Sequence, residues 1–493
     1  MSSLALLFPL AALAYFVWQS SRSRVFLLGI PFLQFFRQSV FFEDLRVFWM
    51  PGRLSTVTIT MLWLVLVWAL CTDRLLSARH RAAGERVSPF GPRPLPEELL
   101  VVTLAVVVLL SMLLTAVRNV DLSSALGEAS GVLFMLLGYL LVRGIISQSD
   151  RDELMRFLHA VVVVNTVAAA LFVVHQGLHV RIYHADEYFE TVFQGTVITR
   201  TFVFMSPLLF FALAFAFAQR RWTVWTYLII VVNLLAVWVS YTRTMLAMAA
   251  LIAAISIVAR LVKRGQEMMA LRRALAIATV VAAGGVALVT LLPTESNYFV
   301  ARIQGMLEGG GVARTESFVD RSTRLTTTAD MVGDRDPLFG FGFETAARDP
   351  LYETIRQWSW DSAWITILYR MGYAGAAAFG AVLLAFAARA FWLFLRRDPW
   401  AEEYGLMWFA FIVATAISSF IGWAFMDQSR YPMNLWFLAF LAAGVLLPRL
   451  GATGAADTEP APTPDVRDTR STRSDDDARG QTFAGGEAVP SGR

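Results

Sequence analysis

The residues of this chain best suited to chemistry are a few arginines, one aspartate and three tryptophans beside it. Arg200 and Arg243 stand in Thr199-Arg200-Thr201 and Tyr241-Thr242-Arg243-Thr244, at the ends of hydrophobic stretches. A guanidinium is planar, stays charged at any relevant pH and meets phosphate oxygens two at a time, so a pair of them can hold a diphosphate. For either arginine alone the competing reading is an interfacial side chain that snorkels to lipid headgroups. Arg324, in Arg321-Ser322-Thr323-Arg324-Leu325, is a third candidate, set against an ordinary solvated loop position. Asp361 stands in Trp358-Ser359-Trp360-Asp361-Ser362-Ala363-Trp364 and can act as a general base. Its competing role is a helix N-cap worth about 1 kcal/mol, which Ser362 can fill instead. Trp358, Trp360 and Trp364 offer rings that stack on sugar faces or, as the commoner use, form an interfacial aromatic belt.

Other polar groups carry less. The five histidines, His80, His159, His175, His179 and His184, make no metal-site spacing. His184-Ala185-Asp186-Glu187 with Glu190 supplies hard oxygen ligands, but a solvated loop is the ordinary reading, and neither a bound metal nor a cofactor is expected. Asp336-Pro337-Leu338-Phe339-Gly340-Phe341-Gly342 predicts a turn and is not a dinucleotide fingerprint, since no strand and helix flank it. The single cysteine, Cys71, excludes an intrachain disulfide and reads as packing.

The elements that position these residues follow from composition. Of 493 residues 57% are hydrophobic and 16% charged, against about 25% charged in a soluble domain. The apolar residues fall in blocks at 3–18, 25–36, 54–71, 99–117, 130–147, 154–174, 201–218, 223–240, 244–262, 274–292, 365–394, 404–425 and 433–448. A bilayer-spanning helix needs about 20 such residues, and the alternation of a membrane barrel is missing. The expectation is an all-α polytopic membrane protein with 12 or 13 transmembrane helices in residues 1–450. Block 25–36 is short and can be re-entrant or tilted. The first block lacks a basic leader, which argues for a retained helix rather than a cleaved signal. Residues 451–493 are rich in Gly, Ala, Pro, Thr, Asp and Arg and are expected to be a disordered tail.

Orientation comes from the basic residues, of which Lys263 is the only lysine. Loops with Arg74, Arg79, Arg81 and Arg86, with Arg220 and Arg221, with Arg260, Lys263, Arg264, Arg272 and Arg273, and with Arg396 and Arg397 fall on one side when the spans alternate. Short cytoplasmic loops retain such residues, so that side and the tail are expected to be cytoplasmic. The opposite face then carries residues 175–200, the turn at Tyr241–Arg243 and the long segment 293–364. A net charge of +4 spread this way suggests no nucleic-acid partner.

Taken together, residues 195–395 resemble the O-antigen ligase and O-antigen polymerase family of membrane glycosyltransferases. The resemblance rests on Arg200 ahead of Ser206-Pro207, on Thr242-Arg243 at a helix junction, and on Arg324 opening a loop that ends in Pro337-Leu338-Phe339-Gly340-Phe341-Gly342. Asp361 and Gly372 stand where ligases of the family have a catalytic His and a Gly eleven residues on. Asp in place of His departs from the ligase pattern and favours a polymerase.

The resemblance implies a bacterial inner-membrane enzyme that needs neither metal nor nucleotide sugar and works at the periplasmic face. A sugar hydroxyl of one glycan attacks the anomeric carbon of another held on undecaprenyl diphosphate. Arg200, Arg243 and Arg324 would hold the diphosphate, Asp361 would take the proton, and the three tryptophans would contact glycan. Expected partners are that lipid-linked glycan, membrane lipid and other polysaccharide-assembly proteins such as a chain-length regulator. The alternatives are a ligase that moves finished glycan to lipid A core or another acceptor, and a transporter or flippase without covalent chemistry. Against the last stand the long outer segment and the scarcity of charge deep in the apolar blocks.

Overall fold

A computed structural model describes residues 2–32, 59–79, 96–118, 122–147, 149, 151–177, 188–193, 196–201, 206–240, 243–263, 265–291, 297–298, 300–301, 304, 316–343 and 362–421. The chain divides into two compact units, Met1–Gly451 and Ala452–Arg493. The tail expected from residue 451 onward lies outside the described residues, as does apolar block 433–448.

The described part is helical except for one hairpin. Its elements are α1 (Ser2–Ser20), a 3-10 turn (Arg24–Leu28) leading into α2 (Gly29–Phe32), α3 (Ile59–Arg79), α4 (Pro96–Val117), α5 (Leu122–Ile146) and α6 (Arg151–Gly177). Strands β1 (Tyr188–Phe193) and β2 (Thr196–Thr201) follow as an antiparallel pair. Then come α7 (Ser206–Ala218), α8 (Val224–Val239), α9 (Arg243–Val262), α10 (Glu267–Leu291), α11 (Glu316–Arg335), α12 (Ala363–Leu395) and α13 (Pro399–Ile421). The hairpin is a small addition to a fold that is otherwise all-α as expected, with Thr201 of block 201–218 in β2 and Ser206–Ala218 in helix.

Among the described residues five helices, α4, α6, α9, α10 and α12, are long and apolar enough to cross a membrane, and shorter apolar helices accompany them. Their faces show which side meets which neighbour. In α4, Leu104, Val108, Ser111 and Thr115 recur at helical spacing and are buried, while Leu99, Val102, Val106, Leu109 and Leu113 are exposed. An apolar exposed stripe on an apolar helix is a lipid-facing surface. By contrast α7 is buried all round from Leu208 to Ala218, as a helix enclosed by others must be. It packs against α13, α9, α8 and α6, while α12 packs against α13 and α4.

A helix that ends inside a bundle leaves carbonyls without partners, and unpaired backbone in an apolar medium costs several kcal/mol. Two arginines solve this for α7. Arg273 donates to the carbonyls of Phe217 at 2.8 Å and Arg220 at 3.0 Å and also to Gln219, and Arg260 donates to Ala218. Lys263 does the same for the end of α12, reaching Phe394 O at 2.8 Å and Arg396 O at 2.9 Å. The buried charge is balanced by Glu402 in the first turn of α13. It accepts from Lys263 Nζ at 2.7 Å, Gln266 Nε2 at 2.8 Å and Arg260 Nη1 at 3.2 Å.

One carboxylate thus binds α9, α10 and α13 to the ends of α7 and α12. A second buried pair lies at the same end. Arg143 of α5 donates to both oxygens of Glu98 in α4, at 2.5 and 3.1 Å, and the Tyr139 hydroxyl also donates to Glu98.

Removing one partner of a buried charge cluster is more damaging than never having it, at about 3–5 kcal/mol. Glu402→Leu should therefore lower the thermal midpoint of the detergent-solubilised protein strongly. Burial alone would raise the Glu402 pKa, but the hydrogen bonds from Lys263 and Gln266 and the Lys263 and Arg260 charges outweigh it and hold the carboxyl below the ordinary glutamate range. Its stabilisation is complete above the unfolded-state pKa and is lost as pH falls through the lower folded-state value. We expect a midpoint that is flat from neutral pH to the carboxylate range and drops below it, with Glu402→Gln starting lower and dropping less.

Candidate functional site

The helix directions set which residues share an end. The ends of α7, α9 and α12 meet at Glu402, so the starts of these helices lie at the opposite end. That end gathers Ser206 just after β2, Arg243 at the head of α9, and Ser362 and Ala363 at the head of α12. The segment from Asp336 to Phe343 arrives there too, against the last turns of α4.

The local feature that organises this end is a break in α12. Gly372 adopts φ 60° and ψ −161°, which no helix contains, and so separates a short first piece from the long remainder. The break exposes backbone groups that the segment 337–341 satisfies. Phe341 N donates to Tyr369 O at 2.8 Å, Tyr373 N to Pro337 O at 2.9 Å, and Ala374 N to Leu338 O at 3.1 Å. Such close contact of backbones requires glycine on both sides. A Cβ on Gly340 would lie 2.5 Å from Tyr369 O, and one on Gly372 would lie 2.5 Å from Gly340 N. Gly340 and Gly342 also hold positive φ, at 66° and 76°.

Side chains lock the joint on three flanks. The Phe341 ring stacks on Tyr369 with centroids 4.8 Å apart. From α4, the Thr115 hydroxyl accepts from Phe343 N at 2.8 Å, and Ser111 donates to Phe339 O at 3.3 Å. Arg118, just past α4, pairs with Asp336 at 2.5 Å and reaches Phe341 O at 3.3 Å. From α11, Val332 is buried with Phe341, Ile365, Leu368 and Tyr369, and Leu325 and Ala329 pack against them.

No protein-family model matches the chain, and no curated protein matches it either. The site is therefore read from its own residues. Arg200 lies in β2, in register with Phe189 of β1, and Arg243 is the first residue of α9. Arg324 is the clearest departure from expectation, since it lies within α11 rather than at the mouth of a loop. The reason is the spacing of Leu325, Thr328, Ala329 and Val332, which gives residues 316–335 one buried face. Arg324 flanks that face, half-buried, and its Nε donates to Asp320 one turn earlier at 3.0 Å.

Asp361, Trp358 and Trp360 lie outside the described residues. Ser362 is the N-cap of α12, its hydroxyl accepting from Ile365 N at 3.5 Å, so the capping role does not fall to Asp361. Trp364 packs into the bundle. Its indole N–H donates to Ser419 Oγ at 2.9 Å and its ring meets Phe379 edge-on. Among the described residues no group of three or more His, Cys, Asp or Glu stands ready to hold a metal ion.

Sequence reasoning missed the Gly340–Gly372 joint. Both glycines were visible, but they are 32 residues apart and nothing in their spacing says they touch. Ser111 and Thr115 lie inside apolar block 99–117 and Arg118 just beyond it, and nothing in the sequence marks them as partners of segment 336–343.

Alanine at Gly340 or Gly372 would add a left-handed penalty of about 1–2 kcal/mol to a direct backbone clash. We expect either variant to lose several degrees of thermal midpoint and to expose segment 337–343 to protease. Gly284→Ala in α10 is the control, since nothing lies within 4 Å of the added Cβ, and it should lower the midpoint not at all.

Proposed function

We propose that the chain is a polysaccharide repeat-unit polymerase of the O-antigen ligase and polymerase family, acting on O-antigen, capsule or exopolysaccharide. It would reside in a bacterial inner membrane with its site on the periplasmic face and its tail in the cytoplasm. The observation that carries the reading is the joint itself. Two stretches chosen from sequence, the segment ending in Gly340-Phe341-Gly342 and the region just before Gly372, meet at the end of the bundle where Arg243 heads α9. The crowding of basic residues at the other end supports the orientation.

The chemistry follows from the residue types. An acceptor sugar hydroxyl attacks the anomeric carbon of the donor glycan, the carbon–oxygen bond to undecaprenyl diphosphate breaks, and configuration inverts. The proton of the hydroxyl passes to Asp361, a contribution of about a hundredfold to ten-thousandfold in rate. Charge grows on the departing diphosphate. Preorganised guanidinium groups stabilise such charge best where water is sparse, which is the part assigned to Arg200 and Arg243. Arg324 is a weaker contributor in this scheme, because Asp320 already engages it.

The test is the glycan profile of a deletion strain complemented with each variant. Asp361→Asn and Arg243→Ala should insert normally yet leave lipid-linked glycan at one repeat unit, with Arg324→Ala showing a milder loss. Long lipid-linked chains that never reach an acceptor would identify a ligase instead. Unchanged profiles in both of the first two variants would remove the site assignment.

A further inference from the structure

The basic end of the bundle holds a feature that neither the Glu402 cluster nor the proposed chemistry uses. Tyr227 of α8 and Arg272, Leu275, Ala276 and Thr279 of α10 line an open groove of about 360 Å³. The four α10 positions lie at helical spacing on one face, so the groove runs along the helix away from the basic end. Much of α10 is bare on its outer side, with Leu271, Leu275, Val281 and Val286 all exposed. Trp222 supports the groove from below, meeting Tyr227 edge-on at 5.3 Å and lying under the Arg273 guanidinium at 5.1 Å.

The charges at its mouth are of two kinds. Arg273 turns inward and is spent on the carbonyls that end α7. Arg272, the next residue outward, is exposed, and among the described residues it makes no ion pair or hydrogen bond. The same holds for Arg221, which follows the Arg220 carbonyl that Arg273 holds at 3.0 Å. Arg272, not needed to hold the bundle, therefore stands on the rim of an apolar groove, and Arg221 belongs to the turn whose Arg220 carbonyl Arg273 holds.

We propose that this groove is a binding site for an anionic phospholipid. Its phosphate is held by Arg272 with Arg221, and one acyl chain lies along Leu275, Ala276 and Thr279. A second copy of the chain fits less well, because copies in one membrane share an orientation. A neighbour would bring its own basic end to the same level, and like charges repel. A lipid phosphate supplies the opposite charge and the chain that the groove lacks. The proposal is independent of the reaction at the other end.

Native mass spectrometry of the full chain, delipidated and titrated with phosphatidylglycerol or phosphatidylcholine, tests it. We expect one tightly held phosphatidylglycerol and roughly tenfold or greater weakening in the Arg221→Ala/Arg272→Ala double variant. Thr279→Trp, which fills the groove, should also displace the lipid, and the thermal midpoint of the double variant before lipid addition should stay unchanged. Equal retention of phosphatidylcholine, or undiminished phosphatidylglycerol binding by the double variant, would overturn the proposal. So would an intermolecular disulfide formed by Thr279→Cys in membranes, which would give the groove to a second copy. The native Cys71 is buried and does not confuse that readout.

Discussion

The structure depends on one requirement, that backbone carbonyls at helix ends inside the bundle find donors. The central helix α7 is enclosed on every side and stops among its neighbours, so water is kept from the carbonyls of Phe217 and Ala218. Arg260 and Arg273 serve them from α9 and α10, and Glu402 then offsets the charge they bring indoors. This arrangement ties α9, α10 and α13 to the ends of α7 and α12 and gathers basic residues at one end. The basic residues gathered at this end thus act as an internal fastening, and are not simply decoration of loops.

The other end meets the same requirement with different means. There the break at Gly372 frees donors and acceptors in mid-helix, and another stretch of backbone supplies the complement. Segment 337–341 serves α12 much as an adjacent strand serves a sheet edge. Glycine at 340 and 372 permits the approach, and Ser111 and Thr115 use the outer turns of α4 to hold the segment in place. The basic end is fastened by charge. The opposite end is fastened largely by neutral backbone bonds and small side chains.

How far the sequence was legible depends on the range of the interaction. The helices α4, α6, α9, α10 and α12 were readable because lipid imposes an unbroken apolar run on each of them. The hairpin was not, since residues 188–201 carry no turn dipeptide strong enough to outvote the apolar block that follows. Arg324 was misplaced because the buried face of α11 is built partly from Thr328 and Ala329, which do not register as hydrophobic in a polar stretch. Arg260, Arg273 and Lys263 were read for their sign alone. Their partners are carbonyls and a glutamate more than a hundred residues on, and no local pattern encodes that.

The shortness of α7 has a dielectric consequence. From Ala218 back to Ser206 the helix rises about 18 Å, whereas α9 rises about 26 Å between Arg260 and Arg243. Both are fastened at the Glu402 end, so along parallel axes Ser206 would sit roughly 8 Å below the level of Arg243. Ionic groups carried to that depth are less shielded by solvent and salt, and their fields weaken more slowly with distance.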